Sequence, residues 1–529
     1  MANRIGRSRS RRGGAYLAMA GLMASVFVGS VAARADTTDE LLDQLKAKGV
    51  LTKGEYSKLK QRHAAETSKA GPRGAAPVVG NGRYLTALDK GVGFRIPGQQ
   101  IVTKDNGVVS VGDVDVKLTG ALIFFGAETF KNNVSGTALV GGVTGGLSGG
   151  STVNNANSIR SGLLPSNVVL SLATNQMGWD LGFTVGAYFG GNNVFVGSDP
   201  RNANAGGSAF ALGTPGIDLR QVFGTIGTPE LGSLKIGRDL GLFGGQAILN
   251  DFTLFGVGTA AGNAAPGNTA LGRIGLGYVY ADWIPQITYT TPGWNGFTAS
   301  VGLFSPLAAT DIFTGGLTSG VMTAHDQPQF QGQIKYVGQL APDFKLTAWV
   351  DGITQLQRAE VGDSVTAFIS AGSHTRSSGV DGGARVDWNG FSVVGYGYWG
   401  SALGTTGLFW QALSPDGQAR KSSGWYAEAE YTFGSSPYLP GFLGGDRFTI
   451  GGSFGQSFLQ ANSFDTGTVF GAVYEPFLLH TNQSAIGFVR YKLTDWVAFQ
   501  AEFINSKSIN QSGGSFTTNA VVGGTTFFF

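Results

Sequence analysis

The feature that most constrains this chain is an alternation of apolar and polar residues with a period of two. In 344–351, FKLTAWVD, and in 497–503, VAFQAEF, every second residue is apolar and the residues between are largely polar. Because successive side chains of a strand point to opposite faces of a sheet, this pattern predicts strands with one apolar and one polar face. About sixteen such segments lie between residues 114 and 529, one of them over 272–291.

The joints between the predicted strands alternate in length. Short joints lie at 176–178, 228–230, 292–296, 340–343, 389–390 and 494–495, and Gly/Ser/Asn-rich long joints at 131–165, 191–218 and 242–271. One joint, 436–446, is long on the short side. Membrane barrels have short periplasmic turns and long outer loops. The sequence therefore predicts an all-β transmembrane fold, a closed antiparallel β-barrel of about 16 strands.

Composition agrees with this fold and disfavours others. Only 13% of residues are charged and 42% are hydrophobic, with 86 Gly, yet no apolar run after residue 35 is long enough for a membrane-spanning helix. A soluble sandwich or β-helix would not require short and long joints to alternate along the chain. Trp179, Trp294, Trp388 and Trp496 all fall at short joints. We expect them to form an aromatic girdle at one membrane interface.

The N-terminus carries an export signal. Residues 1–35 combine five arginines, an apolar run over 17–32 and the small-x-small sequence Ala33-Arg34-Ala35, which predicts a cleaved signal peptide. The rest of the chain has 31 basic and 34 acidic residues, a net charge of −3, and no nucleic-acid-binding signature.

The segment that follows is unlike the barrel. Capping boxes begin at Thr37 and Thr52 and predict a short periplasmic helical hairpin over 36–63, with a loosely ordered tail as the alternative. Residues 64–113 are predicted as a linker and lead-in, and residues 114–529 as the transmembrane barrel. The organisation is thus signal peptide, hairpin, linker and barrel.

The stretch 219–239, LRQVFGTIGTPELGSLKIGRD, resembles a strand–turn–strand unit of Gram-negative general porins. The matching residues are Arg220, Phe223, Gly232, Ser233, Leu234, Ile236, Gly237 and Arg238. Residues 287–297 are similar to a second strand and turn of that family, and Phe94–Gly98 to the lead-in of alphaproteobacterial porins. The helical hairpin is more similar to the lead-in of phosphate-selective porins.

This resemblance implies a homotrimer and a third outer loop, 242–271, that folds into the lumen and narrows it. Asp251 is the only charged residue of that loop. The resemblance implies a constriction formed by this acid and wall cations, with the residues Arg220, Lys235, Arg238, Asp251 and Arg273. Strict alternation points Arg238 outward unless a bulge at Gly237 re-aims it. The alternative is that Arg220 and Arg238 pair with Asp218 and Asp239 and only hold the wall. The terminal Phe529 is similar to the signal read by the barrel-assembly machinery.

Alternation also predicts residues that line the pore. They are Lys335, Lys345, Asp351, Arg385, Glu428 and Glu430. Because the charges nearly cancel, we expect weak ion selectivity. A channel specific for anions such as phosphate is the alternative, and it would need a ladder of cations along one wall.

No pattern in the sequence indicates catalysis, a cofactor or a metal. The GxGxxG at 395–400 lies inside a predicted strand without a βαβ unit, and the four histidines have no ligand spacing. His325 and His374 lie near Asp326 and Ser373, so a barrel hydrolase is one rival, and a plugged structural barrel is another. The predicted function is passive diffusion of small hydrophilic solutes and ions across the lipid of a Gram-negative outer membrane.

Overall fold

The computed structural model describes the chain from residue 101 onward, with gaps. The described residues are 101–104, 107–135, 157–190, 217–259, 269–311, 316–317, 322, 325–360, 369–434, 440–441, 443–469, 472–473 and 478–529. The predicted signal peptide, helical hairpin and most of the lead-in lie outside them.

The described residues form mostly strands. In chain order these are β1 (Ile101–Lys104), β2 (Val108–Val111), β3 (Val114–Ser135), β4 (Asn157–Arg160), β5 (Ser166–Gln176), β6 (Trp179–Phe189), β7 (Ile217–Thr228), β8 (Gly232–Leu240), β9 (Trp283–Thr290), β10 (Phe297–Phe304), β11 (Thr310–Asp311), β12 (Gly316–Leu317), β13 (Gln329–Ala341), β14 (Phe344–Arg358), β15 (His374–Trp388), β16 (Phe391–Ser401), β17 (Lys421–Thr432), β18 (Phe448–Gln460), β19 (Thr468–Val469), β20 (Ala472–Val473), β21 (Leu479–Lys492), β22 (Val497–Asn510) and β23 (Ser515–Phe528). Two short helices are α1 (Gly245–Asn250) and α2 (Ser463–Thr466).

Sixteen strands close into an antiparallel barrel, which confirms the predicted fold class. They are β3, β5–β10, β13–β18 and β21–β23, each paired with its neighbour in sequence. The last strand, β23, pairs with the first, β3. The Gly120 N–H donates to the Phe529 carbonyl at 2.8 Å, and the Phe529 N–H donates back at 3.1 Å. The Phe529 ring occupies the space that a Cβ at position 120 would need, so the end of the chain completes the closure.

The outer face of the barrel is apolar and the inner face is polar. Val350 and Ile334 are 62% and 60% exposed, whereas Asp351 and Glu428, which face inward, are 2% and 3% exposed. Trp179, Trp294, Trp388 and Trp496 are all exposed at the short-turn end, as the sequence predicts. A closed barrel with an apolar outer face is the architecture of a transmembrane β-barrel.

Among the described residues, no helix is long and apolar enough to cross a membrane.

One predicted strand is wrong in its first half. The strand expected over 272–291 begins only at Trp283, and residues before it belong to the preceding loop. Gly272, Gly275 and Gly277 have φ values of 57°, 75° and 150°, which a strand does not use. The third loop therefore runs from 241 to 282 rather than from 242 to 271, and its end is turned into the barrel.

Candidate functional site

The candidate site is built by the segment between β8 and β9, residues 241–282, which we call the inner loop. It begins with the N–H groups of Leu242 and Phe243, which donate to Gln331 Oε1 on β13 at 2.7 and 2.9 Å. The next N–H, of Gly244, donates to Asp381 Oδ2 on β15 at 2.8 Å. The φ of 74° at Gly244 turns the chain into helix α1 inside the barrel.

Two more wall carboxylates hold the inner loop further along. The Phe252 N–H donates to Glu428 Oε2 on β17 at 2.6 Å. The N–H groups of Val257 and Gly258 donate to Glu502 Oε2 on β22 at 2.9 and 3.2 Å. Asp381, Glu428 and Glu502, here called the acid wall, thus accept backbone hydrogen bonds from the inner loop on strands β15, β17 and β22. Backbone N–H groups inside the barrel need acceptors, and these three acids supply them.

A buried ion pair fixes the returning half of the inner loop. Arg273 Nε lies 3.3 Å from Glu428 Oε1, and both side chains are fully buried. Arg273 Nη1 also donates to the carbonyls of Leu276 and Ser484 at 3.1 and 3.5 Å. Glu428 therefore binds both halves of the inner loop, through Phe252 and through Arg273.

On its long-loop side, the inner loop packs against residues 402–420, which connect β16 to β17. Leu276 and Val279 of the inner loop and Leu403 and Phe409 of the connection are all fully buried in one apolar core. The Tyr280 N–H donates to the Thr406 carbonyl at 2.8 Å. Burial of apolar side chains and these hydrogen bonds hold the two segments together inside the barrel.

On its short-turn side, the inner loop covers a cavity of about 330 Å³, here called the chamber. Its roof is apolar and its wall is charged. The roof includes Leu249, Phe252, Leu254 and Phe255; the lining cations are Arg385, Arg447, Arg490 and Lys492, and the lining acids are Asp251, Glu430 and Asp446.

Most of the chamber cations have acidic partners. Arg385 Nη2 donates to Asp387 Oδ1 at 2.7 Å and its guanidinium lies over the Phe252 ring. Arg490 forms an ion pair with Glu430, and Lys492 with Asp495 at 2.6 Å. Arg447 forms no ion pair with any described residue. The chamber is therefore highly charged but close to neutral.

The predicted constriction residues contact different partners in the structure. Arg220 Nε lies 2.9 Å from Asp218 Oδ2, and the Arg220 guanidinium lies over the Tyr188 ring. Lys235 is paired with Asp239. Arg238 lies opposite Val222, whose side chain is 39% exposed on the outer face, and the pairing register continues past Gly237 without a shift.

The loop member of that predicted set is held within the inner loop. Asp251 Oδ1 accepts hydrogen bonds from the N–H and hydroxyl of Thr253, and Oδ2 accepts one from the Tyr278 hydroxyl at 3.1 Å. Burial raises the pKa of Tyr278, so that hydroxyl stays protonated and donates. Arg273 belongs to the inner loop itself and not to the wall.

The predicted pore-lining residues lie in two groups. Arg385 and Glu430 line the chamber, as described above. Glu428 is buried against the inner loop, and Asp351 is 2% exposed and lies opposite Gln333. Lys335 and Lys345 follow on β13 and β14, and Lys345 is exposed near the short-turn end.

Sequence reasoning missed the use of acids as anchors for the inner loop. Asp381 shares the inward parity of Arg385 on β15, so the alternation marks it as an inward residue. Four glutamines, Gln329, Gln331, Gln355 and Gln357, are likewise inward and buried on β13 and β14. Gln331 donates to Gln329, which donates to Gln355 at 2.9 Å, so these three form a chain of hydrogen bonds behind the inner loop.

The comparisons with known proteins agree with the fold. No protein-family model matches the chain, and no curated protein matches it. Among solved structures, the chain is similar to the outer membrane channel DcaP of Acinetobacter baumannii, with a TM-score of 0.52 and 12% identity over 79% of this chain and 97% of that one. This likeness supports the porin-like barrel fold.

Two further structures match with lower TM-scores. OmpF of Salmonella typhi, solved in complex with daunomycin, has a TM-score of 0.44 and 11% identity over 79% of this chain and 98% of that one. OprB of Pseudomonas putida, in a high-pH structure, has a TM-score of 0.44 and 12% identity over 78% of this chain and 94% of that one. Both proteins are distant in sequence from this chain.

Proposed function

We propose that this protein is an outer-membrane channel for passive diffusion of small hydrophilic solutes and ions. The observation that carries the proposal is the charged chamber beneath the inner loop of a closed transmembrane barrel. A rigid barrel that only anchors or adheres has no need for seven charged side chains around a cavity. Charged groups lining a pore within low-dielectric walls instead give a path for hydrated ions.

The inner loop supports a narrowed channel rather than a wide one. It is fixed at Gln331, Asp381, Glu428 and Glu502, on four different strands around the wall. A segment held at so many points narrows the lumen at a constant position. Solutes then pass according to size and charge in the space that the inner loop leaves.

The test is single-channel recording from the purified full-length protein in planar bilayers, with reversal potentials measured under a salt gradient. We expect stable openings with a small reversal potential, since the chamber is close to neutral. A folded barrel is recognised by a gel mobility that changes on heating. If protein that passes this check gives no current, the proposal is overturned.

A second candidate is a channel that favours anions. Two observations favour it: Arg447 forms no ion pair among the described residues, and Arg385 Nη1 is buried without a hydrogen-bond partner there. Both lie in the chamber, where an anionic solute would satisfy them. A large reversal potential of anion-selective sign, together with block by millimolar phosphate, would support this candidate over weak selectivity.

Export, assembly and oligomeric state follow from the same proposal. We infer that export uses the predicted signal peptide, that assembly machinery recognises the C-terminal strand through Phe529, and that three copies form a homotrimer. The lipid-facing belt and the short-turn girdle support an outer-membrane location with long loops outside. N-terminal sequencing of the mature protein and its mass in detergent test cleavage and oligomeric state.

A further inference from the structure

The outer surface carries a depression that the channel does not use, here called the outward groove. It has a volume of about 490 Å³ and crosses β10, β13, β14, β15 and β16. Val301 pairs with Gly332, Gly332 with Gly352, Gly352 with Val380, and Val380 with Trp399, so these five residues form one row across the wall. Two glycines form the floor, between large apolar neighbours.

The outward groove is open to the membrane. Val301, Val380 and Trp399 are each 56% exposed on the apolar outer face. A Cβ at Gly332 would approach no atom closer than 3.7 Å, and one at Gly352 none closer than 3.9 Å. The depression therefore exists because the two glycines have no side chains. There is room at both positions for a larger residue. In a membrane a hydrocarbon chain fills such a space and gains van der Waals contacts with the flanking side chains.

A basic rim lies above the outward groove, toward the long-loop end. One row higher, Thr354 pairs with Ser378, Ser378 with Ser401, and Ser401 with Lys421. The next row brings Arg376 opposite Leu356. Each row lies roughly 7 Å above the one before it, because a strand rises about 3.4 Å per residue.

The basic side chains of this rim point outward and are available to a ligand. His374, Arg376 and Lys421 are exposed, and Arg376 and Lys421 form no ion pair with any described residue. Arg376 Nη1 donates to Thr354 Oγ1 at 3.3 Å, which holds the guanidinium at the top of the groove. Arg358, opposite His374, lies 3.6 Å from Asp326, so its charge is partly balanced.

We propose that the outward groove and the basic rim bind a bis-phosphorylated, multiply acylated glycolipid of the outer leaflet. One acyl chain occupies the outward groove, and the phosphates bind Arg376 and Lys421. These two cations lie two strands and two residues apart, roughly 12 Å along the sheet, which suits two separated phosphates better than one. Arginine and lysine are the usual partners of phosphate oxygens.

The proposal rests on the orientation in the proposed function, which places the long-loop end in the outer leaflet. The test titrates purified full-length protein in detergent with hexa-acylated, bis-phosphorylated lipid A and detects complexes by native mass spectrometry. Monophosphorylated lipid A and phosphatidylglycerol serve as comparison probes. Single-channel conductance is measured on the same preparations, so a protein that conducts without binding lipid A overturns this inference alone.

Three variants sharpen the test. The double variant Arg376→Gln/Lys421→Gln removes the phosphate partners, and Gly352→Leu fills the outward groove without a backbone clash. Gly487→Leu is the matched control, since Gly487 is an outward glycine on β21 with nothing within 4 Å of its Cβ position. All three must keep the heat-modifiable mobility of folded barrel.

We expect bis-phosphorylated lipid A to bind at least tenfold more weakly to the double variant and to Gly352→Leu, and unchanged to Gly487→Leu. We expect the monophosphorylated probe to bind more weakly to the original protein than the bis-phosphorylated one. Unchanged binding in both test variants would overturn the proposal, as would equal binding of phosphatidylglycerol. Loss of the oligomer in Gly352→Leu would instead identify the outward groove as a contact between copies of the chain.

Discussion

Charged side chains have different partners on two sides of the inner wall. On β7 and β8, the cations Arg220 and Lys235 are paired with Asp218 and Asp239 of their own strands. On β15, β17 and β22, the acid wall accepts hydrogen bonds from the backbone of the inner loop. On β7 and β8 the charges are neutralised within each strand. On β15, β17 and β22 the acids instead bind the backbone of the inner loop.

This difference bears on how the channel would select ions. A transverse field needs unpaired charges of opposite sign on facing surfaces. Here the acid of the inner loop, Asp251, already accepts three hydrogen bonds, and the nearest wall cations have partners. The charged groups that remain available to solutes line the chamber, on the short-turn side of the inner loop. Substitutions in the two regions test this difference.

The largest effect is expected from Glu428→Ala. It leaves Arg273 buried without its carboxylate and the Phe252 N–H without its acceptor. Breaking a buried pair in this way costs roughly 3–5 kcal/mol. We expect a lower urea midpoint for unfolding in detergent and a larger, noisier single-channel conductance, because the inner loop is released.

The control is Glu430→Ala, which removes a chamber carboxylate that pairs with Arg490 and does not touch the inner loop backbone. It should change the conductance amplitude through the loss of a lining charge, but the current should stay as free of noise as that of the original protein. If Glu428→Ala conducts with the same amplitude and noise as the original protein, the acid wall does not hold the inner loop.

Gly256→Ala tests the contact at Glu502. A Cβ at this position would overlap Glu502 Oε1 and the Gln500 amide, so the inner loop must move away from β22. We expect a loss of stability of about 1–3 kcal/mol and a raised conductance. The measurement is chemical unfolding followed by tryptophan fluorescence, with recordings in parallel.

A double-mutant cycle supplies the control for this contact. Glu502→Ala removes the overlapping oxygen, so Gly256→Ala should cost less in that background than alone. Strictly additive effects of the two changes would mean that the clash is relieved elsewhere.

A moderate effect on selectivity is expected from Arg447→Gln. This cation lines the chamber without an ion pair among the described residues, so its removal makes the lining more negative. We expect the cation-to-anion permeability ratio to rise roughly twofold. Reversal potentials under a tenfold salt gradient measure it, and an unchanged ratio would exclude Arg447 from the ion path.

The smallest effect is expected from the double variant Arg220→Gln/Asp218→Asn. It removes both charges of one wall pair and leaves the net charge of the lumen unchanged. We expect the permeability ratio to stay at that of the original protein in the same reversal-potential measurement. A shift as large as that of Arg447→Gln would show that Arg220 faces the ion path after all, as the porin resemblance implies.

Local patterns in the sequence are sufficient to predict the barrel wall. Period-two alternation decides which side chains face lipid, and Gly and Asn at the joints decide where the strands reverse. Both signals are local, so the alternating segment 344–351 lies in one strand, β14, observed over Phe344–Arg358. The same parity predicted that Glu428 points inward, and the short joint at 389–390 predicted the exposed Trp388.

The path of the inner loop and the partners of the inward charges depend on contacts between distant parts of the chain. Residues 272–278, GRIGLGY, alternate as a strand would, yet they turn at glycines with positive φ and pack against residues 402–420. The residues that they contact lie more than a hundred positions away in the sequence, so a local pattern cannot predict these contacts. Alternation likewise placed Glu428 in the lumen, but only the folded chain shows that its carboxylate binds Phe252 and Arg273 rather than water.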